Sequence, residues 1–256
     1  MEQNWIEIDD QWLRSYNVKR IFIASHNSPL QFAEEGQFLN NALLANVEHV
    51  VRICTTSANV RPDQQTYYPR THWALEVMLE QPEYKKLGWT SLRANNFLTY
   101  QLATAAEFVK QCRKSGNKQP GPLRLMLDEK APNGTIHSAD VGVFAGHILA
   151  DDEIARHSHK KYVLNDPEDL TGEMVVALVE RDIGTKVEDV EFRSLDSIRS
   201  LIKTSEFSKN VMSSLCHAPD TTWSGEANVS TTSPEVNQIY KPSTTAEQVF
   251  QEMLKE

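Results

Sequence analysis

The fold is decided by the stretch His72-Trp-Ala-Leu-Glu-Val-Met-Leu-Glu80 and by Gly88-Trp-Thr-Ser-Leu-Arg-Ala-Asn-Asn-Phe97, which follows it closely. The first part predicts an amphipathic helix with His72 at its start, because apolar side chains recur at helical spacing. The second part predicts a buried strand at residues 89–92, which opens onto residues 93–97. Ligands of open α/β sheets bind at the C-terminal ends of the strands. The stretch therefore predicts a binding site at this end of the sheet.

Two further segments of strand length precede this stretch, and the first of them is a continuous apolar run. Residues 19–25 and 49–54 predict buried strands, and residues 30–45 between them predict a helix that turns Glu34 and Glu35 outward. Alternating strands and helices indicate parallel βαβ units. The strand ends expected to meet at one edge of the sheet are residues 25–27, 55–57 and 93–97.

The remaining chain alternates between helical and extended patterns. Gly184 is expected to end the helix at residues 170–183, and Thr244-x-x-Glu247 predicts a capping box at the start of the last helix. The other predictions are a helix at 97–113, a linker at 117–122, a strand at 123–127, a helix at 139–152, strands at 161–164 and 186–192, and a polar loop at 219–233.

The deciding stretch resembles the middle of the NmrA-like proteins, which are atypical short-chain dehydrogenases that bind NAD(P) on a Rossmann sheet. Many of them serve fungal secondary metabolism. The pattern usually has Pro where this chain has Ala94. The resemblance runs from about Val18 to the C-terminus, and its other pieces are Glu48-His-Val-Val-Arg-Ile-Cys-Thr-Thr, Ser138-Ala-Asp-Val-Gly and Glu168-Asp-Leu-Thr-Gly172. It implies an NAD(P)-dependent oxidoreductase, with NADP or NAD as cofactor and a small organic metabolite as substrate.

The glycine-rich turn of a Rossmann domain has no counterpart in this sequence. Its glycines normally let the backbone approach the pyrophosphate, but the first glycine here is Gly36, inside a helical pattern. Relative to the family pattern, the chain starts just before the fourth strand. We therefore expect an α/β fold with an N-terminally abbreviated, Rossmann-like parallel sheet and a small C-terminal α+β lobe. Residues 1–116 would form the partial Rossmann-like domain and residues 117–256 the substrate-side lobe, with residues from about 136 to 164 packing back on the sheet.

An abbreviated sheet would expose the strand at residues 19–25 as an edge. Exposed edges invite pairing with another chain. The sequence therefore predicts either a homodimer through this edge or a rearranged N-terminus, in which Trp5, Ile6 and Ile8 form a replacement edge strand.

The candidate catalytic residues are Tyr68 and His72. Hydride transfer to a carbonyl or imine needs a proton donor, which typical short-chain dehydrogenases supply with Tyr-x-x-x-Lys. The resemblance places His72 in the lysine position of this pattern. Histidine titrates near neutrality, so His72 is expected to act as a general acid or base without a large pKa shift. The alternative is that His72 only packs at the start of the helix.

Polar and aromatic residues at the strand ends are the candidate binding residues, because small-molecule sites combine apolar walls with a few polar groups. Thr55 and Thr56 have the alternative role of satisfying local backbone groups. Glu76 is expected to pair with His72 or Arg93, and Cys54 to be a core thiol. The predicted cofactor-binding residues are Ser25, His26, Thr55, Thr56, Asn95 and Asn96, and the predicted substrate-pocket residues are Phe97 and Tyr100.

No metal site is predicted. His157 and His159 form the one histidine cluster, and no third ligand is visible near them. A solvated loop is the expected setting for both side chains.

The composition indicates which binding partners and which cellular compartment to expect. The chain has 26 Lys and Arg against 35 Asp and Glu, and its formal charge of −9 argues against nucleic-acid binding. Three separated cysteines without a CxxC pair indicate a reducing compartment. No apolar run approaches the length of a membrane span, and the N-terminus lacks the features of a signal peptide. The expectation is a cytoplasmic protein with no membrane partner.

Three classes of function are compatible with these observations. The first is an NAD(P)-dependent oxidoreductase. The second is a cofactor-independent isomerase, cyclase or epimerase that uses the same cleft, which would agree with the missing glycine turn. The third is a non-catalytic regulator that senses dinucleotides. A regulator would tolerate the loss of His72, whereas either enzyme would not.

Overall fold

The computed structural model describes residues 3–116 and 118–255 and confirms the predicted α/β class. The first residue of the predicted linker, Asn117, lies outside the described residues. The strands are β1 (Arg20–Ile23), β2 (His49–Ile53), β3 (Gly88–Ala94), β4 (Asn96–Phe97), β5 (Leu123–Arg124), β6 (Asn133–Ile136), β7 (Lys160–Leu164), β8 (Asp169–Leu170) and β9 (Val190–Glu191). The helices are α1 (Asp10–Ser15), α2 (Gln31–Leu44), α3 (Tyr67–Leu79), α4 (Leu98–Lys114), α5 (Ser138–Ala150), α6 (Gly172–Ile183), α7 (Asp196–Thr204), α8 (Lys209–Ser213), α9 (Asp220–Trp223), α10 (Val236–Ile239) and α11 (Ala246–Met253).

Four parallel strands form the central sheet in the order β1-β2-β3-β7. Successive side chains of a strand point to opposite faces, and both faces of this sheet are covered. Val50 of β2 packs with Leu75 of α3 on one face, whereas Val51 packs with Phe144 of α5 on the other. This two-sided burial explains the adjacent apolar residues Val50 and Val51, and Arg52 of the same strand is buried with a counter-charge.

A second core lies on the C-terminal side of the chain. Helices α4, α6 and α11 pack around β5, and Leu102, Val179 and Phe250 are fully buried there. Gly184 ends α6 in the left-handed conformation, with a φ of 74°, as predicted. The division of the chain into lobes at residue 116 stays a prediction.

A smaller cluster joins the C-terminal part to the start of α3. Tyr67 packs with Ile198, Met212 and Leu215. The backbone N–H of Tyr67 also donates to the Ser214 hydroxyl over 3.1 Å. These contacts place α7 and the residues after α8 over the C-terminal ends of the central strands.

The N-terminal segment does not extend the sheet. Trp5–Glu7 forms a short 3-10 helix, and the Trp5 ring packs edge-on against Phe38 with centroids 5.7 Å apart. The prediction of a replacement edge strand is therefore wrong, because these apolar side chains are used to cover α2. Among the described residues, β1 has β2 as its one strand neighbour.

Three local predictions also need correction. Glu35 is fully buried rather than outward, because its carboxylate pairs with a buried arginine. The capping box of α11 is formed by Thr245 and Gln248, one residue later than predicted. Residues 219–233, expected to be a loop, include α9 and the 3-10 helix Val229–Thr231.

Among the described residues, no helix is both long enough and apolar enough to cross a membrane.

Candidate functional site

A cavity of about 410 Å³ lies at the C-terminal ends of β1, β2 and β3. The strand ends and α3 supply its polar side. The apolar side comes from later parts of the chain, including Met126, Ile198, Leu201 and Leu215. The cavity thus forms where the sequence predicted a site, with a wall that is distant in sequence.

The structure brings all but one of the predicted site residues to this cavity. The residues that line it are Ser25, Thr55, Thr56, Tyr68, His72, Asn95, Asn96, Phe97 and Tyr100. His26 is the exception, because its ring turns to the surface and lies 2.7 Å from the Glu34 carboxylate. Its prediction as a cofactor-binding residue is not supported by this position. The roles of the other residues stay predictions.

His72 lies in the second turn of α3 rather than at its start, and it is almost fully buried. Its Nδ1 is 2.8 Å from a terminal nitrogen of Arg52, and its Nε2 is 3.0 Å from Oδ1 of Asn27. A guanidinium can only donate, so Nδ1 must accept. The proton of the neutral ring is therefore on Nε2, which donates to Asn27.

This environment removes the near-neutral titration predicted for His72. Burial, together with the positive charge of Arg52, lowers the pKa of His72 to about 3. At neutral pH the ring is uncharged and its one proton is held in the hydrogen bond to Asn27. The expectation that His72 acts as a general acid or base without a large pKa shift is therefore wrong.

The charge of Arg52 is compensated inside the protein. Its Nε donates to Glu35 Oε1 over 2.6 Å, and both side chains are fully buried. Burial alone would lower the pKa of Arg52, but the Glu35 carboxylate raises it above its usual value. Gln31 and Ser25 each donate to the other carboxylate oxygen, over 2.9 and 2.8 Å. The hydroxyl proton of Ser25 is therefore committed to Glu35 rather than to the cavity.

Tyr68 lies one helical turn before His72, and the two rings pack edge-on with centroids 6.4 Å apart. Burial raises the pKa of Tyr68, and a hydrogen bond with the Thr55 side chain counters part of that shift. Cys54 is buried beside them, and burial raises the pKa of its thiol to about 11. Both groups are protonated at neutral pH, which agrees with the prediction of Cys54 as a core thiol.

Asn95 and Asn96 connect the end of β3 to the C-terminal part of the chain. Asn95 is buried and donates to Asn165 over 2.7 Å, whereas Asn96 donates to Asn133 and Thr222 over 2.8 and 3.2 Å. In these bonds the side-chain N–H groups of both asparagines donate to other protein groups. Both residues therefore shape the cavity wall.

Glu76 pairs with Arg93, which is one of its two predicted partners. Arg93 donates to both carboxylate oxygens over 3.2 and 2.6 Å, and the Ser91 hydroxyl donates to one of them over 2.7 Å. These contacts lower the pKa of Glu76 to about 2 although burial acts to raise it. The pair fixes α3 against β3 beneath the cavity.

Sequence reasoning missed Asn27 and the apolar wall. Asn27 belongs to the loop after β1, which was expected to face a ligand, but nothing in the sequence distinguished it from its neighbours. The wall residues Ile198, Leu201 and Leu215 had no local signal. Ile198 and Leu215 reach the cavity through tertiary packing, which includes the cluster around Tyr67.

The prediction of a solvated loop is confirmed for His159, which is exposed, and is wrong for His157. His157 is buried, and its ring bonds to the Tyr162 hydroxyl and the Asp151 carboxylate, each over 3.0 Å. Within residues 3–116 and 118–255, no group of three His, Cys, Asp or Glu side chains is arranged to hold a metal ion.

Comparison with known proteins identifies the fold. No protein-family model and no curated protein sequence matches the chain. An NADPH-dependent quinone oxidoreductase from Escherichia coli, solved with NADPH, superposes with a TM-score of 0.71 at 15% identity, over 98% of this chain and 82% of that one. A triphenylmethane reductase from Citrobacter sp., solved with NADP(H), has a TM-score of 0.69 at 15% identity over the same shares. A leucoanthocyanidin reductase from Vitis vinifera, solved with NADPH, has a TM-score of 0.67 at 12% identity, over 96% of this chain and 78% of that one. This chain therefore has the Rossmann-like fold of these reductases.

Proposed function

We propose that this chain is an NAD(P)-dependent oxidoreductase that reduces or oxidises a small organic metabolite in the cavity. The observation that carries the proposal is the position of the cavity, at the C-terminal ends of three parallel strands where Rossmann-like sheets bind their ligands. The fold shared with reductases that were solved with NADPH supports it.

The described residues fit one half of a dinucleotide. Thr55 and Thr56 line the cavity and carry hydroxyls that suit a nicotinamide carboxamide. A volume of about 410 Å³ is near the lower end of the range for one drug-sized ligand. The loop between β1 and α2 has no glycine, and the described residues contain no glycine-rich cradle for a pyrophosphate. The fit therefore extends to the nicotinamide end and the substrate.

Bound NAD(P) would supply or accept the hydride, and the residues of this chain would hold the substrate and the proton. Tyr68 keeps its proton at neutral pH, so its phenol is the proposed proton donor to a carbonyl oxygen. His72 is proposed to position Asn27 rather than to relay a proton. The apolar wall excludes water from the reacting atoms.

The proposals on biological role and cellular location rest on the sequence resemblance. It supports a role in fungal secondary metabolism and, together with three unpaired cysteines, a cytoplasmic location. The outer edge of β1 supports a homodimer, because parallel edge strands present unpaired backbone groups.

A redox-neutral isomerase, cyclase or epimerase is the second candidate. It is favoured by one observation, the lack of a glycine-rich cradle within the part of the chain that the structure describes. Such an enzyme would turn over its substrate without any dinucleotide.

The test is NADPH consumption by the purified protein with a panel of quinones and aromatic ketones. Tyr68→Phe should lower kcat at least tenfold, because it removes the proton donor and leaves the ring. Tyr84→Phe is the matched control, since Tyr84 lies on the distant 3-10 helix Pro82–Tyr84, and it should leave kcat unchanged. Equal rates in wild type and Tyr68→Phe would remove Tyr68 from the mechanism. Turnover without dinucleotide would favour the redox-neutral alternative.

A further inference from the structure

Gln101 is a polar residue at a core position of α4. The buried face of this helix includes Leu98, Leu102 and Ala105, and Gln101 lies on it with 4% of its surface exposed. Its Oε1 is buried, and neither polar atom of its amide has a hydrogen-bond partner within the part of the chain that the structure describes. Burial of an unpaired amide costs stability, and an apolar side chain of similar size would remove that cost.

Ser194 is a second polar side chain without a partner. It comes three residues after β9 and is 7% exposed, and its backbone N–H donates to the Leu125 carbonyl over 2.9 Å. That bond fixes the position of the residue. Its hydroxyl is buried and has no partner among the described residues, although a serine hydroxyl can both donate and accept.

Gln101 and Ser194 line the same small space, a side pocket of about 80 Å³ between the starts of α4 and α7. One water needs about 10–15 Å³, so the side pocket has room for a group of several heavy atoms. Tyr100 and Met126 line both the side pocket and the cavity at the strand ends, which is the main cavity. The two spaces are therefore neighbours that share one wall, and a ligand in the main cavity can extend an arm past that wall.

The charged groups beside the side pocket compensate one another. Arg124 Nε lies 3.0 Å from the Glu191 carboxylate and 3.4 Å from the Asp196 carboxylate, and Arg199 lies 3.5 Å from the other oxygen of Asp196. Two guanidinium groups thus face two carboxylates. An ion that left water for this pocket would gain no unpaired counter-charge, so a neutral polar group is the better match.

We propose that the side pocket binds a neutral amide group, as in a carboxamide or a lactam, of a ligand whose body lies in the main cavity. An amide carries an N–H beside a C=O, so it can pair with the Gln101 amide in both directions, while Ser194 donates or accepts a further bond. The terminal torsion of a glutamine is broad, so its amide can turn toward the ligand. Gln101 and Ser194 are then the residues that determine specificity for the arm.

The inference rests on the proposed function only in taking the main cavity as the ligand site. It needs neither a bound dinucleotide nor hydride transfer. It also explains why α4 keeps an unpaired amide in its buried face, because the protein accepts the cost to stability in return for binding.

Three matched probes test the amide preference by NMR titration of the full chain. 3-Phenylpropanamide has the amide on a two-carbon chain, methyl 3-phenylpropanoate has no N–H donor, and 3-phenylpropanoate is charged. We expect the amide to bind about fivefold more tightly than the ester, as one additional hydrogen bond would give, and more tightly still than the carboxylate. The ester is the more apolar of the two neutral probes, so the hydrophobic effect alone would produce the opposite order.

Gln101→Met keeps the length of the side chain and removes its amide. It should erase the preference for the amide over the ester, and it should not lower the melting temperature, because the amide has no partner in the described protein to lose. Ser194→Ala should weaken the preference and likewise keep the melting temperature. The matched control is Gln111→Met on the exposed face of α4, where the amide donates to Glu107 over 2.8 Å, and it should leave the preference unchanged.

Equal or tighter binding of the ester by the wild type would overturn the proposal, as would no binding of any probe up to millimolar concentration. An unchanged preference in Gln101→Met would also overturn it. A clear fall in the melting temperature of both Gln101→Met and Ser194→Ala would show that the two groups serve the fold, and would overturn their assignment to a ligand. An amide preference without NADPH binding would leave the side pocket standing and remove the oxidoreductase proposal, whereas NADPH binding without an amide preference would do the reverse.

Discussion

Replacing Asp166 with Asn should make the protein more stable at alkaline pH. Asp166 follows β7 and is 2% exposed, and its Oδ2 accepts from the His137 N–H over 2.8 Å. Burial, and then the neighbouring Asp140 carboxylate, raise the pKa of Asp166 from 3.8 to about 8. Asp140 accepts one hydrogen bond on each oxygen, from the hydroxyls of Tyr240 and Thr244, and a carboxylate has lone pairs left for a further donor.

The direction of the effect follows from proton linkage. The folded state binds the Asp166 proton more tightly than the unfolded state does. The stability that this proton contributes is complete below a pH of about 3.8 and is lost as the pH rises through about 8. One pKa unit corresponds to about 1.4 kcal/mol, so the wild type should lose roughly 3–4 kcal/mol through this group between about pH 5 and about pH 8. Glu168 adds a smaller repulsion in the same direction.

Asparagine preserves the geometry of the protonated acid. Its oxygen can accept from His137, and its amide can donate to Asp140 in place of the carboxyl proton. Urea unfolding of both proteins at several pH values measures the difference. The free energy of unfolding of Asp166→Asn should rise relative to wild type by roughly 3–4 kcal/mol over this interval. The control is Asp63→Asn, whose side chain is 79% exposed, and its curve should parallel wild type. Parallel curves for Asp166→Asn would refute the reasoning.

Three further predictions follow from the other buried groups and from the sheet edge. Glu35→Gln should lower the free energy of unfolding by about 3–5 kcal/mol, because Arg52 loses its buried counter-charge. The control is Glu34→Gln on the same helix, which should lower the free energy of unfolding by less than about 1 kcal/mol. Urea unfolding measures both, and equal losses in the two variants would contradict the account. Cys54 should resist a thiol reagent in the native protein while the partly exposed Cys216 reacts, as read by mass spectrometry; rapid labelling of Cys54 would contradict its buried, protonated state. Pairing through the outer edge of β1 predicts a sedimenting species of about twice 29.1 kDa, and a single 29.1 kDa species at micromolar concentration would exclude it.

The sheet and its principal helices could be predicted because their signals are local. Val50 and Val51 of β2 are both apolar because helices cover both faces of the sheet there, and Gly184 ends α6 because a left-handed residue is needed there. The strand ends then identified most of the polar side of the cavity. These inferences need only periodicity and the residues at the ends of each element.

The electrostatics of the site could not be predicted, because they depend on contacts between distant residues. Glu35 has the sequence pattern of an outward helix residue, and only Arg52, from the next strand, explains its burial. The neutral state of His72 follows from the same arginine. The apolar wall from Ile198 to Leu215 reaches the cavity by tertiary packing, for which a single sequence carries no local signal.

The measurement that tests the central claim most directly is a calorimetric titration of the 256-residue protein with NADPH and with NADP⁺, followed by thermal shift. The account predicts micromolar binding and a rise in melting temperature, because ligands that bind only the folded state stabilise it. No binding up to millimolar concentration would contradict an NAD(P)-dependent oxidoreductase for this chain.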